Sequence, residues 1–418
     1  MKLLRYIFIA LAIPVCTQAG AQTLADFIAT GLENNYNLKI ARNEEAISAN
    51  NATYANAGYL PTVNATAGYS GTVDTGAGQL GHGVQAGVNA EWTVFDGFKI
   101  QATYAKLQEL KRQGATRTRL DIEDYVATLT AEYYNLIQQK IRMRNLNNAV
   151  KLSKERLRIV LERYSIGSAS RLDLQQAQVD FNADSAKSLK QHELMATSRI
   201  RLYELMAVKD MQTPLVLNDS AIDVDATLTH DSLLEATMRL NAELLDKRHN
   251  IRLAELDYKA TMSRDYPYIK LNAGYNYQHT IEGSSRGGVD FGVKVGYNIF
   301  DGKRTSQKRN AQLNIENADL ARMQLEQSLR SDLADLWQAY KNNLRLLSLE
   351  RENLVTAQEN HYIAHERYML GSLSGIEMRE AQQSLLDAEE RILEAQYNTK
   401  LCEISLRQIS GDIMKYME

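Results

Sequence analysis

Four segments of this chain alternate apolar and polar residues with a period of two, and no other feature limits the possible folds so strongly. In YLPTVNATAGYS (59–70), Val63, Ala65, Ala67 and Tyr69 share one face, and Thr62, Asn64, Thr66, Gly68 and Ser70 the other. In VQAGVNAEWTV (84–94), Val84, Ala86, Val88, Ala90, Trp92 and Val94 oppose Gln85, Gly87, Asn89, Glu91 and Thr93. IKLNAGYNYQ (269–278) and VDFGVKVGYNIF (289–300) repeat the pattern, with Leu271, Tyr275 and Tyr277, then Phe291, Val293 and Val295, on the apolar side. Runs of about ten such residues are the pattern of strands that meet lipid on one side and water on the other. Gly-rich polar links at 74–83 and 282–288 join them in pairs as hairpins. Four strands cannot close a barrel, and an open edge cannot sit in lipid. Small closed barrels need about eight strands. If these are membrane strands, several chains must share one barrel.

The remaining sequence is helix-like. Proline occurs only at Pro14, Pro61, Pro214 and Pro267, a scarcity that suits long uninterrupted helices. The stretch 98–164 has Gly114 as its one interior glycine and would span about 100 Å as a helix. A second such stretch runs over 303–368. Shorter helical stretches are predicted over 23–57, 171–208, 231–264 and 374–411. Leu152, Leu157, Val160, Leu161 and Tyr164 recur at the three- and four-residue spacing of packed helices.

The chain is an internal duplication. Pro61 to Pro267 is a step of 206 positions, Phe95-Asp96-Gly97 to Phe300-Asp301-Gly302 one of 205, and RYSIGSAS (163–170) to RYMLGSLS (367–374) one of 204. The expected organisation is a first repeat over 22–208, with its hairpin at 59–96 and a turn at 165–170. A polar link follows at 209–230. The second repeat covers 231–418, with its hairpin at 267–301 and a turn at 369–374.

Residues 1–21 read as a signal peptide: Lys2 and Arg5, then an apolar stretch, then Ala19-Gly20-Ala21. Cys16 lies in that stretch without a small residue before it, a poor context for a lipid anchor. After cleavage only Cys402 remains, which excludes an intrachain disulfide. No apolar run reaches the length of a transmembrane helix. A net charge of −3 gives no basic excess for nucleic acid. No catalytic constellation or cofactor motif is present. GAGQLG (76–81) fits a dinucleotide fingerprint but lies between two strands with no helix after it. His361 and His365 stand at i and i+4 with no third ligand evident. Two readings stay open on the residues alone: an outer-membrane β-protein with long helices, or a soluble periplasmic coiled-coil scaffold.

The duplicated hairpin-plus-long-helix plan, the doubled FDG and the doubled RYxxGxxS resemble the TolC family of outer-membrane efflux proteins, over essentially the whole mature chain. The resemblance implies an α+β membrane protein. Its protomers would form a homotrimer, each giving four strands to a 12-stranded barrel in outer-membrane lipid above a periplasmic barrel of coiled-coil helices. It implies a passive exit duct for efflux or type I secretion, gated by iris-like opening of the helices. A periplasmic adaptor and an inner-membrane transporter would be its partners, and the cargo is left unassigned.

Residue roles follow from the family register. Gly167 and Gly371 suit helix C-termini that need a left-handed residue. Ser170 with Asp173, and Ser374 with Glu377, read as capping boxes. The resemblance places Gly167, Ser170, Gly371 and Ser374 at an adaptor-docking tip. It places Glu377 and Glu380, with Asp173 from the first repeat, at the pore constriction; Gln176 stands where a second acid would be. Tyr368 matches an aperture-latch tyrosine, whereas the latch arginine position holds Leu373. Each FDG falls where a strand becomes a helix. There Phe95 and Phe300 suit an aromatic belt, Asp96 and Asp301 can cap the next helix, and Gly97 and Gly302 can relieve the backbone.

Overall fold

A computed structural model describes residues 23–73, 80–211, 215–280 and 284–417. The leader at 1–21, Pro214 and most of GAGQLG lie outside them. Two very long helices dominate: α4 (Lys99–Ser165), of 67 residues, and α8 (Arg304–Met369), of 66. Each is followed by a turn and a 35-residue return helix, α5 (Arg171–Leu205) and α9 (Gly375–Ile409).

The helical stretches predicted over 23–57 and 231–264 are broken. The first is α1 (Leu24–Asn34), α2 (Tyr36–Asn51) and a short α3 (Tyr54–Ala57); the second is α6 (His230–Leu240) and α7 (Ala242–Met262). The breaks fall at Asn35 and Asn241, and both asparagines do the same two jobs. Asn35 Oδ1 accepts from the Asn37 and Leu38 amides at 2.9 and 3.2 Å, and its Nδ2 donates to the Leu205 carbonyl at 2.9 Å. Asn241 Oδ1 accepts from the Leu244 amide at 2.9 Å, and its Nδ2 donates to the Ile409 carbonyl at 3.0 Å. One side chain therefore caps the start of a helix and satisfies an orphan carbonyl at the end of another.

The strands form one antiparallel sheet in the order β1-β2-β3-β4, with β1 at Thr62–Val73, β2 at Leu80–Asp96, β3 at Tyr268–Thr280 and β4 at Ser285–Gly296. The two hairpins are not separate, because β2 pairs with β3 across the repeat boundary. The register aligns the apolar faces throughout: Ala65↔Val88, Val88↔Tyr275 and Tyr275↔Val289. A bulge between Thr93 and Phe95 makes Val94 the extra residue and sets Phe95 opposite Ile269. The last strand stops at Gly296, short of the expected 300. Tyr297 to Phe300 therefore lie beyond the ladder.

Helix α7 packs against both α4 and α8, while α2 packs against α4. The α4–α7 seam is polar. Lys106 pairs with Asp257 at 2.6 Å, Arg117 with Asp246 at 3.0 Å, and Gln113 Nε2 donates to Asp246 and Asn250 at 2.9 and 2.8 Å. The main core gathers Phe27, Ile28, Leu129, Tyr133, Ile137 and Leu202 where α1, α4 and α5 meet. A second one joins Leu233, Leu333, Tyr340 and Leu406. The link after α5 is tied down by charge: buried Arg407 holds Asp225 at 2.6 Å, and buried Glu403 accepts from the Asp225 amide at 2.9 Å and Tyr416 Oη at 2.7 Å.

Candidate functional site

The two helical turns are near copies. The Gly167 amide donates to the Tyr164 carbonyl at 3.0 Å and the Ser168 amide to that of Arg163 at 2.8 Å; Gly371 and Ser372 repeat this with Tyr368 and Arg367 at 3.0 and 2.9 Å. This paired ending needs a left-handed residue, and φ is +77° at Gly167 and +75° at Gly371. A Cβ at either glycine would meet nothing within 4 Å. The need is thus for the backbone angle, not for room.

The return helices begin with matched capping boxes. The Asp173 amide donates to Ser170 Oγ at 3.1 Å, and the Ser170 amide and hydroxyl donate to Asp173 Oδ2 at 3.0 and 2.7 Å. Ser374 and Glu377 make the same three bonds at 3.2, 2.9 and 2.7 Å. Serine hydrogen bonds hold both carboxyls below their ordinary range. Asp173 and Glu377 stay exposed while serving as caps, and Glu380 is exposed one turn further on.

Between the turns lies a cleft of about 280 Å³ that brings Asp173, Ser374, Leu373 and Tyr368 together with Arg156 and Arg163. Tyr368 is 3% exposed and packs with Val160, Ala177, Met378 and Ala381; burial raises its phenol pKa. The Arg163 guanidinium stacks 4.8 Å from the Tyr368 ring, and its Nη2 donates to the Tyr368 carbonyl at 2.8 Å. The arginine beside Tyr368 is therefore supplied by the first repeat, a contact absent from the sequence reading. Two buried ion pairs were missed with it. Arg156 pairs with Asp180, and Arg379 grips the buried Asp184 with two bonds of 2.6 and 2.8 Å. The available signal was Asp180 and Asp184 four apart on one face of α5, in line with the buried Ala177. Such a pair of acids on a buried face demands bases from a neighbouring helix.

His361 and His365 adjoin this region with ring centroids 6.4 Å apart, and burial pushes the His361 pKa down. Among the described residues no group of three or more metal-ligating side chains forms.

The strand-to-helix junctions differ between repeats. Gly97 has φ +70°, and a Cβ there would lie 2.1 Å from the Ser263 carbonyl oxygen. Asp96 Oδ1 accepts from the Ile100 amide at 3.1 Å, inside the first turn of α4, although Phe98 occupies the N-cap position. Phe95 is half-buried, edge-on to Phe98 at 5.2 Å. The second copy departs from the expectation. The Asp301 carboxylate accepts from the Lys303 amide at 3.0 Å, ahead of α8, and only the Asp301 backbone carbonyl takes a helix amide, that of Arg304 at 3.0 Å. Gly302 has no left-handed φ, and Phe300 is 86% exposed. The physical reason is that β4 releases its ladder at Gly296, so the chain there turns without the close backbone approach that Gly97 makes.

The apolar face of the sheet is open along its length: Val63 is 66% exposed, Val289 75% and Phe291 87%. Beneath it, polar groups pair with one another. Asn276 donates to Asp290 at 2.7 Å and Lys270 to Glu91 at 2.8 Å. A sheet apolar on one side and polar on the other, set on helices about 100 Å long, is the protomer of an outer-membrane duct.

Comparison with known proteins gives that class its family. A sequence profile described as "Outer membrane efflux protein" matches residues 28–208 and 233–412, one match per repeat. The outer membrane protein TolC of Vibrio cholerae is 20% identical over 99% of this chain and 96% of that protein. The outer membrane efflux protein BepC of Brucella suis is 20% identical over 94% and 86%. Among solved structures, CusC superposes with a TM-score of 0.77 over 93% of this chain and 92% of its own, at 17% identity. The open-state outer membrane channel MtrE of Neisseria gonorrhoeae does so with 0.77 over 94% and 90%, at 16% identity. The chain belongs to the outer membrane efflux protein family. It is an exit duct of the outer membrane with a helical periplasmic part.

Proposed function

We propose that three copies of this chain close a 12-stranded barrel and a helical tunnel, docked at the tip by a periplasmic adaptor and energised by an inner-membrane transporter. The observation that carries this reading is the exposed apolar face running across all four strands, with β1 and β4 left as unpaired edges of the sheet. The apolar face is unfavourable in water, and the open edges cannot sit in lipid without further strands. The helices support it. Helix α7 packs extensively against two long helices, whereas α2 packs extensively against α4 only and exposes Tyr36, Ile40 and Ile47. Leu313, Leu320 and Met323 on α8 are likewise uncovered. A second copy laying its α8 on this α2 would repeat the α4–α7 arrangement and bury both stripes.

At the tip, Gly167, Ser170, Gly371 and Ser374 offer small side chains to adaptor hairpins, next to Ile166 and Leu370, which are 78% and 82% exposed. Exposed apolar groups of that size mark contact surfaces. Glu377, Glu380 and Asp173 gather around the threefold axis and favour cations. Tyr368, held by Arg163, keeps the two helical hairpins together at rest, and docking spreads them. Detergent extraction from the outer-membrane fraction should yield a particle of three chains, and the channel in planar bilayers should be cation-selective. Glu377→Gln combined with Glu380→Gln should weaken that selectivity. Unchanged selectivity would remove the carboxylate ring, and recovery in the detergent-free periplasmic fraction would favour the soluble scaffold.

A further inference from the structure

The polar face of the sheet carries an uneven distribution of charge. Lys270 and Lys294 are direct cross-strand partners in the β3–β4 ladder, near the end of the sheet where strands give way to helices. Like charges opposite one another in a ladder are destabilising. One carboxylate offsets them: Glu91 on β2, whose Oε1 accepts from Lys270 Nζ at 2.8 Å. Around this trio the same face is mostly amides and small residues, with Asn272 opposite Glu91 and Thr93 opposite Lys270. The nearest other acid on this face, Asp96, stands opposite Tyr268, and its Oδ1 accepts from the Ile100 amide at 3.1 Å. Asp290 lies four residues along β4, about 13 Å away at strand spacing, and its carboxylate accepts from Asn276 at 2.7 Å. Within the trio of Lys270, Lys294 and Glu91, two ammonium groups and one carboxylate leave an excess of one positive charge per chain, with Asp96 bonded to the start of α4 beside them.

We propose that Lys270 and Lys294 form a cationic collar inside the base of the barrel, with Glu91 as its counter-charge, and that the collar favours anionic solutes bearing carboxylate, phosphate or sulfonate groups. The proposal rests on the barrel reading, which turns this face inward. Rings of charge select ions in narrow pores because the field is poorly screened there. The collar opposes the tip carboxylates, so the duct holds two filters of opposite sign in series. A lysine pair that costs stability in the ladder is explained when a passing anion relieves it.

The test uses the full chain in planar bilayers under a potassium chloride gradient, in the Glu377→Gln/Glu380→Gln background so that the collar is read alone. Lys294→Gln and Lys270→Gln should each lower the chloride-to-potassium permeability ratio about twofold or more, and Glu91→Gln should raise it. A ratio unmoved by all three overturns the collar. To separate that failure from failure of the barrel reading, Lys294→Cys in a Cys402→Ser chain is treated with membrane-impermeant thiol reagents. Faster modification by an anionic than by a cationic reagent supports the proposal. Modification at equal rates, with unchanged permeability in the glutamine variants, overturns the collar and leaves the barrel standing. A chain that forms no conducting pore in the bilayer overturns both.

Discussion

At the scale of single residues, the two copies of FDG show how identical letters acquire different work. Gly97 holds a left-handed angle with the Ser263 carbonyl pressed against its Cα, whereas a Cβ on Gly302 would touch only the Phe300 ring at 3.9 Å. Gly97→Ala should therefore cost about 1–2 kcal/mol for the backbone angle alone, with the clash added. Gly302→Ala should stay within about 0.5 kcal/mol. The temperature at which the purified oligomer dissociates measures both, and equal losses would refute the distinction. The sequence reading treated the two copies as equivalent, because repetition reveals that a motif recurs and not what packs against it. The aspartates diverge for the same reason: Asp96 reaches into α4 because β2 stays paired up to Asp96, while β4 has already let go.

At the scale of elements, the tip turns were legible in outline. Glycine at the end of one helix and Ser-x-x-acid at the start of the next are local signals, and both describe bonds that form within a few residues. The bonds also predict a response to acid. The Asp173 and Glu377 carboxyls are held below their ordinary values. Their stabilisation is complete above the unfolded values and is lost as pH falls through the lower folded ones. The caps should hold at neutral pH and loosen only below roughly pH 4. Exchange of the Ser170 and Ser374 amides, referred to amides in mid-helix, should rise in that range, and Ser374→Ala should abolish the response at its own turn. Protection unchanged through that range would show that the caps contribute nothing. The helix breaks at Asn35 and Asn241 were not legible. Asn-x-x-Leu is a common string, and its meaning comes from carbonyls 170 and 168 residues away. The Arg163–Tyr368 and Arg379–Asp184 contacts escaped for the same reason, since each joins one repeat to the other.

At the scale of the whole molecule, period-two alternation and duplication together disclosed the plan, because each repeats over many residues and survives errors at any one. The single sheet was less visible, since no local pattern says that β2 will pair with β3. Its apolar face makes a claim that separates membrane from water. Phe291 is 87% exposed on the last strand, so Phe291→Arg would be harmless in a soluble scaffold. In a lipid-facing strand the same change should cost about 2–4 kcal/mol near the bilayer centre. The yield of assembled oligomer in the outer-membrane fraction should fall, with helix content unchanged. Equal yield would place this face in water.

The β2–β3 ladder has one more consequence. Six unlinked hairpins arranged in a ring would meet at six junctions, each governed by dilution. Here the two hairpins of a protomer are tethered by their own chain, and their meeting depends on an effective concentration set by that tether. In a ring of three, only the joins between β4 of one copy and β1 of the next would still depend on how much protein the cell makes, so half of the assembly problem is solved by covalent linkage.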